Sequence, residues 1–84
     1  MRLVVYGRPG CCLCEKAEDI ARRLEREYAF ETEVVDITGD PVLYARYREV
    51  IPVVTLDGTE IARGRVGFAG MRGALARAAG AARP

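Results

Sequence analysis

The sequence predicts an α/β domain with the element order β-α-β-α-β-β-α. Three observations carry that order. A β-branched run opens the chain (RLVVY, Arg2–Tyr6), a long stretch of helical periodicity follows it directly, and two strand-like runs flank the pair Asp57–Gly58. The 84 residues suffice for one small hydrophobic core, so a single domain over 1–84 is expected. Half the residues are hydrophobic and 30% are charged, a balance that suits a folded soluble chain rather than a disordered one. No apolar run approaches the length of a membrane span. The opening MRLVVYGRPG has too short an apolar stretch for a secretory signal and no small-residue cleavage site. A cytoplasmic protein with no membrane contact is therefore expected.

The elements follow in order. Arg2–Tyr6 is continuously apolar rather than alternating and is bounded by Gly7, Pro9 and Gly10, which predicts a central strand covered on both faces. From about Leu13 to Tyr28, Ala17, Ile20, Ala21, Leu24 and Tyr28 recur at helical spacing with charges mostly opposite. FETEVVDI (Phe30–Ile37) reads as a second strand, completing a βαβ unit with a right-handed crossover. Gly39–Asp40 marks a turn, and Pro41 opens a short helix to about Arg48. PVVTL (Pro52–Leu56) and TEIAR (Thr59–Arg63) enclose Asp57–Gly58, a strong hairpin signal. The last helix runs from about Val66 to Ala79, with Phe68, Met71, Leu75 and Ala78 on one face, Gly80 as its C-cap and Pro84 closing the chain. Gly67, Gly70 and Gly73 each weaken it by up to about 1 kcal/mol relative to alanine.

All three cysteines lie within RPGCCLCEKAE, at 11, 12 and 14. A disulfide-stapled secreted domain would spread an even number along the chain. A crowded odd cluster instead suits catalysis or metal binding, and a buried free cysteine can also serve as a small hydrophobe. Charge gives less guidance. Residues 1–42 carry six basic and nine acidic groups, residues 43–84 seven and three, and twelve of the thirteen cations are arginine. Nothing forms the dense basic patch with interleaved aromatics of a nucleic-acid binder, so no nucleic-acid partner is expected.

Taken together, VVYGRPGCCLC (4–14), VIPVVTLDGTEI (50–61) and the final amphipathic helix resemble the glutaredoxin-like proteins of the thioredoxin superfamily. The likeness spans nearly the whole chain, and each motif stands where the predicted strands require it. It implies a four-stranded mixed sheet flanked by helices, with a cis-proline, Pro52, against the C-x-x-C. It also implies Cys11 as the nucleophile, Cys14 as the resolving thiol and the Ile51 backbone as the place where a substrate strand or glutathione pairs. The sequence departs from the pattern in three places. Cys12 and Leu13 stand where proline and an aromatic are usual, Arg8 replaces lysine, and ARGRVG replaces the Gly-Gly pair lining the glutathione site.

The chemistry fits these residue types. Thiol–disulfide exchange starts from a thiolate. Cys11 falls at the N-cap or first turn of the first helix, where unpaired N–H groups and the helix dipole favour negative charge. Arg8 and Lys16 add positive potential. Cys14, one turn further, is expected to be buried and to attack intramolecularly. Cys12 points to solvent as an incidental thiol. Arg8, Ile51, Pro52, Arg63 and Gly64 are the candidate substrate-binding residues, since the segment after strand four returns towards the site. Arg63 and Arg65 there suit a carboxylate, or are simply solvated. Tyr6, Tyr44 and Tyr47 read as packing residues, and Asp36 as a strand-end cap rather than a thiol-tuning carboxylate.

The expected function is thus a monomeric dithiol oxidoreductase acting on disulfide-containing proteins or glutathione mixed disulfides. No cofactor or metal is expected to be bound. Glutathione is a candidate co-substrate, and glutathione or a thioredoxin reductase a candidate electron donor. Two rivals from other classes are a soft-metal carrier, of copper or an iron–sulfur cluster, and a redox-inactive binding module. A closed zinc site wants four ligands, whereas the chain offers three cysteines and no histidine.

Overall fold

Strand β1 (Arg2–Gly7) is the second of four in the order β2-β1-β3-β4, where β2 is Glu31–Asp36, β3 Val53–Leu56 and β4 Thr59–Arg63. The computed structural model describes residues 1–81. β1 runs parallel to β2 and antiparallel to β3, and β3 runs antiparallel to β4. This is the expected mixed sheet. Helix α1 (Cys12–Tyr28) links the parallel pair, α2 (Pro41–Tyr47) links β2 to β3 after a 3-10 turn at Ile37–Gly39, and α3 (Phe68–Ala81) closes the fold.

The two faces of the sheet are covered unequally. Side chains alternate along a strand, so Leu3 and Val5 face one way and Val4 and Tyr6 the other. Leu3 and Val5 join Val54 and Leu56 of β3 in a cluster with Ala17, Ile20, Ala21 and Leu24 of α1 and Met71 and Leu75 of α3. Cys14, also buried, extends the α1 stripe one turn towards its N-terminus. On the opposite face Val53 and Thr55 of β3 are still buried, but α2, in the β2–β3 connection, buries no residue of its own. There the Tyr47 ring leans on Tyr6 with centroids 5.1 Å apart. β1 is therefore central as expected, but half-buried rather than buried on that face. It is β3 that is buried along its whole length.

Local chemistry sets most boundaries. Asp36 ends β2 by accepting hydrogen bonds from the Thr38 amide (2.9 Å) and hydroxyl (2.6 Å), so Ile37 leaves the strand and enters the turn. Asp40 caps α2 through the Val42 and Leu43 amides, with Pro41 in the first turn where its missing N–H costs nothing. Asp57 and Gly58 both have positive φ (49° and 87°), as a two-residue primed hairpin turn requires. Two expectations about the last helix are corrected. It starts at Phe68 rather than Val66, with the Gly67 carbonyl accepting the Met71 amide. It also runs through Gly80 to Ala81, because the flanking alanines carry helical structure past a glycine placed to stop it. Pro84 lies outside the described residues.

Candidate functional site

The site is built at the junction of β1 and α1. Gly10, at φ 77°, turns the chain so that Cys11 becomes the N-cap of α1. In a helix N-cap the side chain accepts a hydrogen bond from an otherwise unpaired amide. Here the acceptor is sulfur, and the Cys14 amide donates to Cys11 Sγ at 3.3 Å. The Cys11 carbonyl also accepts the Glu15 amide at 3.0 Å. Cys11 is half-buried, Cys12 is exposed, Cys14 is buried, and all three are free thiols.

Cys14 is held as a protonated thiol. Burial pushes it up from 9.0 to about 11, since desolvation disfavours the thiolate. Its hydrogen bond to Cys11 and the Cys11 charge push the same way, while the Arg8 backbone N–H and, more weakly, the Arg8 guanidinium pull it down. The sequence suggests that Arg8 acts on Cys11. In the structure Arg8 lines the same groove as Cys14.

The other candidates gather at the start of β3. The Ile51–Pro52 peptide bond is cis. Tyr6 pairs with Val53, so continuing the register by one residue sets Pro52 across from Gly7, at the end of β1. Gly64, at φ 70°, closes over this segment. Its amide donates to the carbonyls of Pro52 (2.8 Å) and Val50 (3.1 Å). Gly64 thus ties down Val50 and Pro52 on either side of Ile51. Arg63 instead turns back along β4 and makes a bidentate pair with Glu60, both contacts at 2.6 Å, which holds the Glu60 carboxyl below its usual range. Arg65 is exposed. Asp36 is engaged with Thr38 as a cap, as expected.

Two features escape sequence reasoning. Gly7 reads as a strand boundary, yet it is the last residue of β1 and is buried behind Cys14. A glycine at a strand end can signal close approach of another element, and that signal is present. The second is a groove of about 260 Å³ between α1 and β2, floored by Val5 and Gly7 and walled by Cys14, Glu18 and Val34. Val34 faces the α1 side in register with Val5 but remains 45% exposed, because it opens into this groove beside the N-terminal half of α1. No local pattern announces that gap. Among the described residues no group of three His, Cys, Asp or Glu is arranged to hold a metal ion, and no helix is long and apolar enough to cross a membrane.

Comparison with known proteins agrees with this geometry. Residues 2–76 match the family model described as Glutaredoxin-like domain (DUF836). The crystal structure of protein XcR50 from X. campestris superposes with a TM-score of 0.73 at 28% identity, covering 89% of this chain and 96% of that one. Reduced Escherichia coli glutaredoxin gives a TM-score of 0.65 at 26% identity, covering 92% and 95%. Among curated relatives, uncharacterized protein Rv0508 of Mycobacterium tuberculosis is 34% identical over 58 residues, 63% of this chain and 60% of that protein. The chain thus spans about 60% of the length of that relative. A sheet of order β2-β1-β3-β4, a thiol pair at 11 and 14 on the first helix, and a match over residues 2–76 make this chain a member of the glutaredoxin-like domain family, with a thioredoxin fold.

Proposed function

We propose that the protein is a dithiol thiol–disulfide oxidoreductase that works as a monomer on disulfide-containing proteins or glutathione mixed disulfides. The observation that carries the reading is the capping geometry. Cys11 Sγ receives the Cys14 amide at 3.3 Å, at a helix N-terminus where the dipole favours negative charge, while Cys14 sits buried and protonated one turn behind. Cys11 attacks one sulfur of the substrate disulfide, a Cys11–substrate disulfide forms, and the first substrate thiolate leaves. Cys14 then attacks Cys11, the Cys11–Cys14 bond forms, and the second substrate sulfur leaves with the proton that Cys14 gives up. The Ile51–Pro52 segment, tied down by the Gly64 amide, offers backbone groups to align an extended substrate, and Arg8 supplies a positive charge on the loop before Cys11. Two electrons from glutathione or from a thioredoxin reductase restore the dithiol.

The test supplies a glutathionylated peptide and a disulfide-bridged peptide, coupled in turn to glutathione with its reductase and to a thioredoxin reductase system. Turnover is expected with one of the two donors. Cys11→Ser is expected to lose all turnover. Cys14→Ser is expected to stall on the bridged peptide as a covalent adduct visible by mass. A Cys11→Ser protein that still turns over sinks the reading.

A further inference from the structure

Gly7 has no conformational need to be glycine, since its φ is not in the left-handed region. Its need is space. A Cβ built at Gly7 would lie 2.8 Å from both Cβ and Sγ of Cys14, whereas ordinary contact starts near 3.4 Å. Neither neighbour is the loose end of a long side chain. Cys14 Cβ is fixed to the backbone of α1, and its sulfur is one bond further. Admitting a methyl group would therefore drive Cys14, and the first turn of α1 with it, outwards by roughly 0.6 Å or more. Cys11 Sγ, by contrast, takes its place as the N-cap, where the Cys14 amide donates to it.

We propose that Gly7 is a positioning residue for the second half-reaction: its missing side chain sets the depth at which the Cys14 sulfur waits behind Cys11. The inference rests on Cys14 acting as the resolving thiol. In that step Cys14 sulfur forms the bond to Cys11, the Cys11–substrate bond breaks, the substrate leaves as a thiolate, and the Cys14 proton is released. An intramolecular attack of this kind depends steeply on alignment, and a misplacement of about 1 Å can cost on the order of a hundredfold. The first half-reaction does not use the Cys14 sulfur as a reactant, so a Gly7 substitution separates the two.

The experiment uses the whole chain in a Cys12→Ser background, which removes the one exposed thiol outside the pair. Reduced protein is mixed with dithiobis-nitrobenzoate in stopped flow. The first nitrothiobenzoate released reports attack by Cys11, and the second reports attack by Cys14 on the resulting mixed disulfide. Gly7→Ala is expected to slow the second release by about tenfold or more, and the first, which feels only the displaced Cys14 amide, by several-fold less than the second. An unchanged second release overturns the proposal. A parent protein that never gives the second release instead overturns the role of Cys14 itself, so the two failures are distinguishable. A stability cycle with Cys14→Gly, which removes both the Cβ and the sulfur, covers the case of poor folding. The destabilisation caused by Gly7→Ala is expected to shrink by at least half in that background, or the double variant to fold where the single one does not. An undiminished cost, or a double variant that stays unfolded, overturns the close packing as the cause.

Discussion

The proton on Cys14 belongs to the folded state, and pH reads it out. In the reduced chain the thiol is raised by burial to about 11 against an ordinary value of 9.0. Below 9.0 both folded and unfolded chains keep the proton. Between the two values the unfolded chain gives it up and the folded chain does not, so rising pH favours unfolding. A tenfold difference in proton affinity is worth about 1.4 kcal/mol, which places the loss on the order of 2 kcal/mol. Denaturant unfolding of the reduced protein at about pH 8 and about pH 10.5 is expected to show this drop, and Cys14→Ala to lack most of it. An identical pH dependence in that variant would mean that the proton is not held there. At this scale the sequence is informative about roles. Cys14 lies one turn from Cys11 and continues the apolar stripe of Ala17, Ala21 and Leu24, so its burial is legible. The groove that Arg8 shares with Cys14 is not, because a loop residue three positions before Cys11 gives no sign of which cavity it will line.

Elements begin and end where side chains meet orphan backbone groups, and here the local chemistry is uneven. Cys11, Asp36 and Asp40 all cap in the way their residue types allow. The hairpin at Asp57–Gly58 and the start of α2 at Pro41 are readable for that reason. The end of α1 is not. Ala29 occupies the left-handed C-cap at φ 53°, with its amide returning to the Glu25 carbonyl, a conformation usually given to glycine. An alanine there carries a Cβ penalty that glycine avoids. Ala29→Gly is therefore expected to stabilise the exposed cap by about 0.5–1 kcal/mol in denaturant unfolding, despite the entropy glycine gains when unfolded. A loss of stability would show that the cap is not strained. At the other boundary, Asp40→Ala removes the acceptor for two α2 amides and is expected to cost about 1 kcal/mol, with Asp40→Asn recovering most of it. An Asn variant no better than alanine would point away from capping.

Across the whole molecule the element order is legible from periodicity and punctuation, and the strand arrangement follows from the resemblance. The balance between the two sheet faces is legible from neither. It depends on how far α1 and α3 extend over the edge strands and on how little α2 can bury, and a single strand's pattern holds no information on either. That imbalance predicts an order of local stability. The face built by α1, α3 and the Leu3, Val5, Val54 and Leu56 side chains holds the buried apolar core. The other rests on a seven-residue helix with no fully buried side chain, with Val42 67% exposed and Tyr44 39% exposed. Segments with few buried apolar contacts open at a fraction of the global free energy. Amide exchange in α2 is therefore expected to be fastest among the helices. Its opening energy should lie several kcal/mol below that of β3, and should respond little to denaturant because little surface is exposed. Opening α2 would uncover Tyr6 without disturbing Cys14, whose packing lies on the core face with Gly7. Exchange in α2 is accordingly expected to accelerate in Tyr47→Ala while the second nitrothiobenzoate release stays within about twofold of the parent. Protection of α2 equal to that of β3 would refute the two-tier stability. A slowed release in Tyr47→Ala would show that the two faces are coupled through β1.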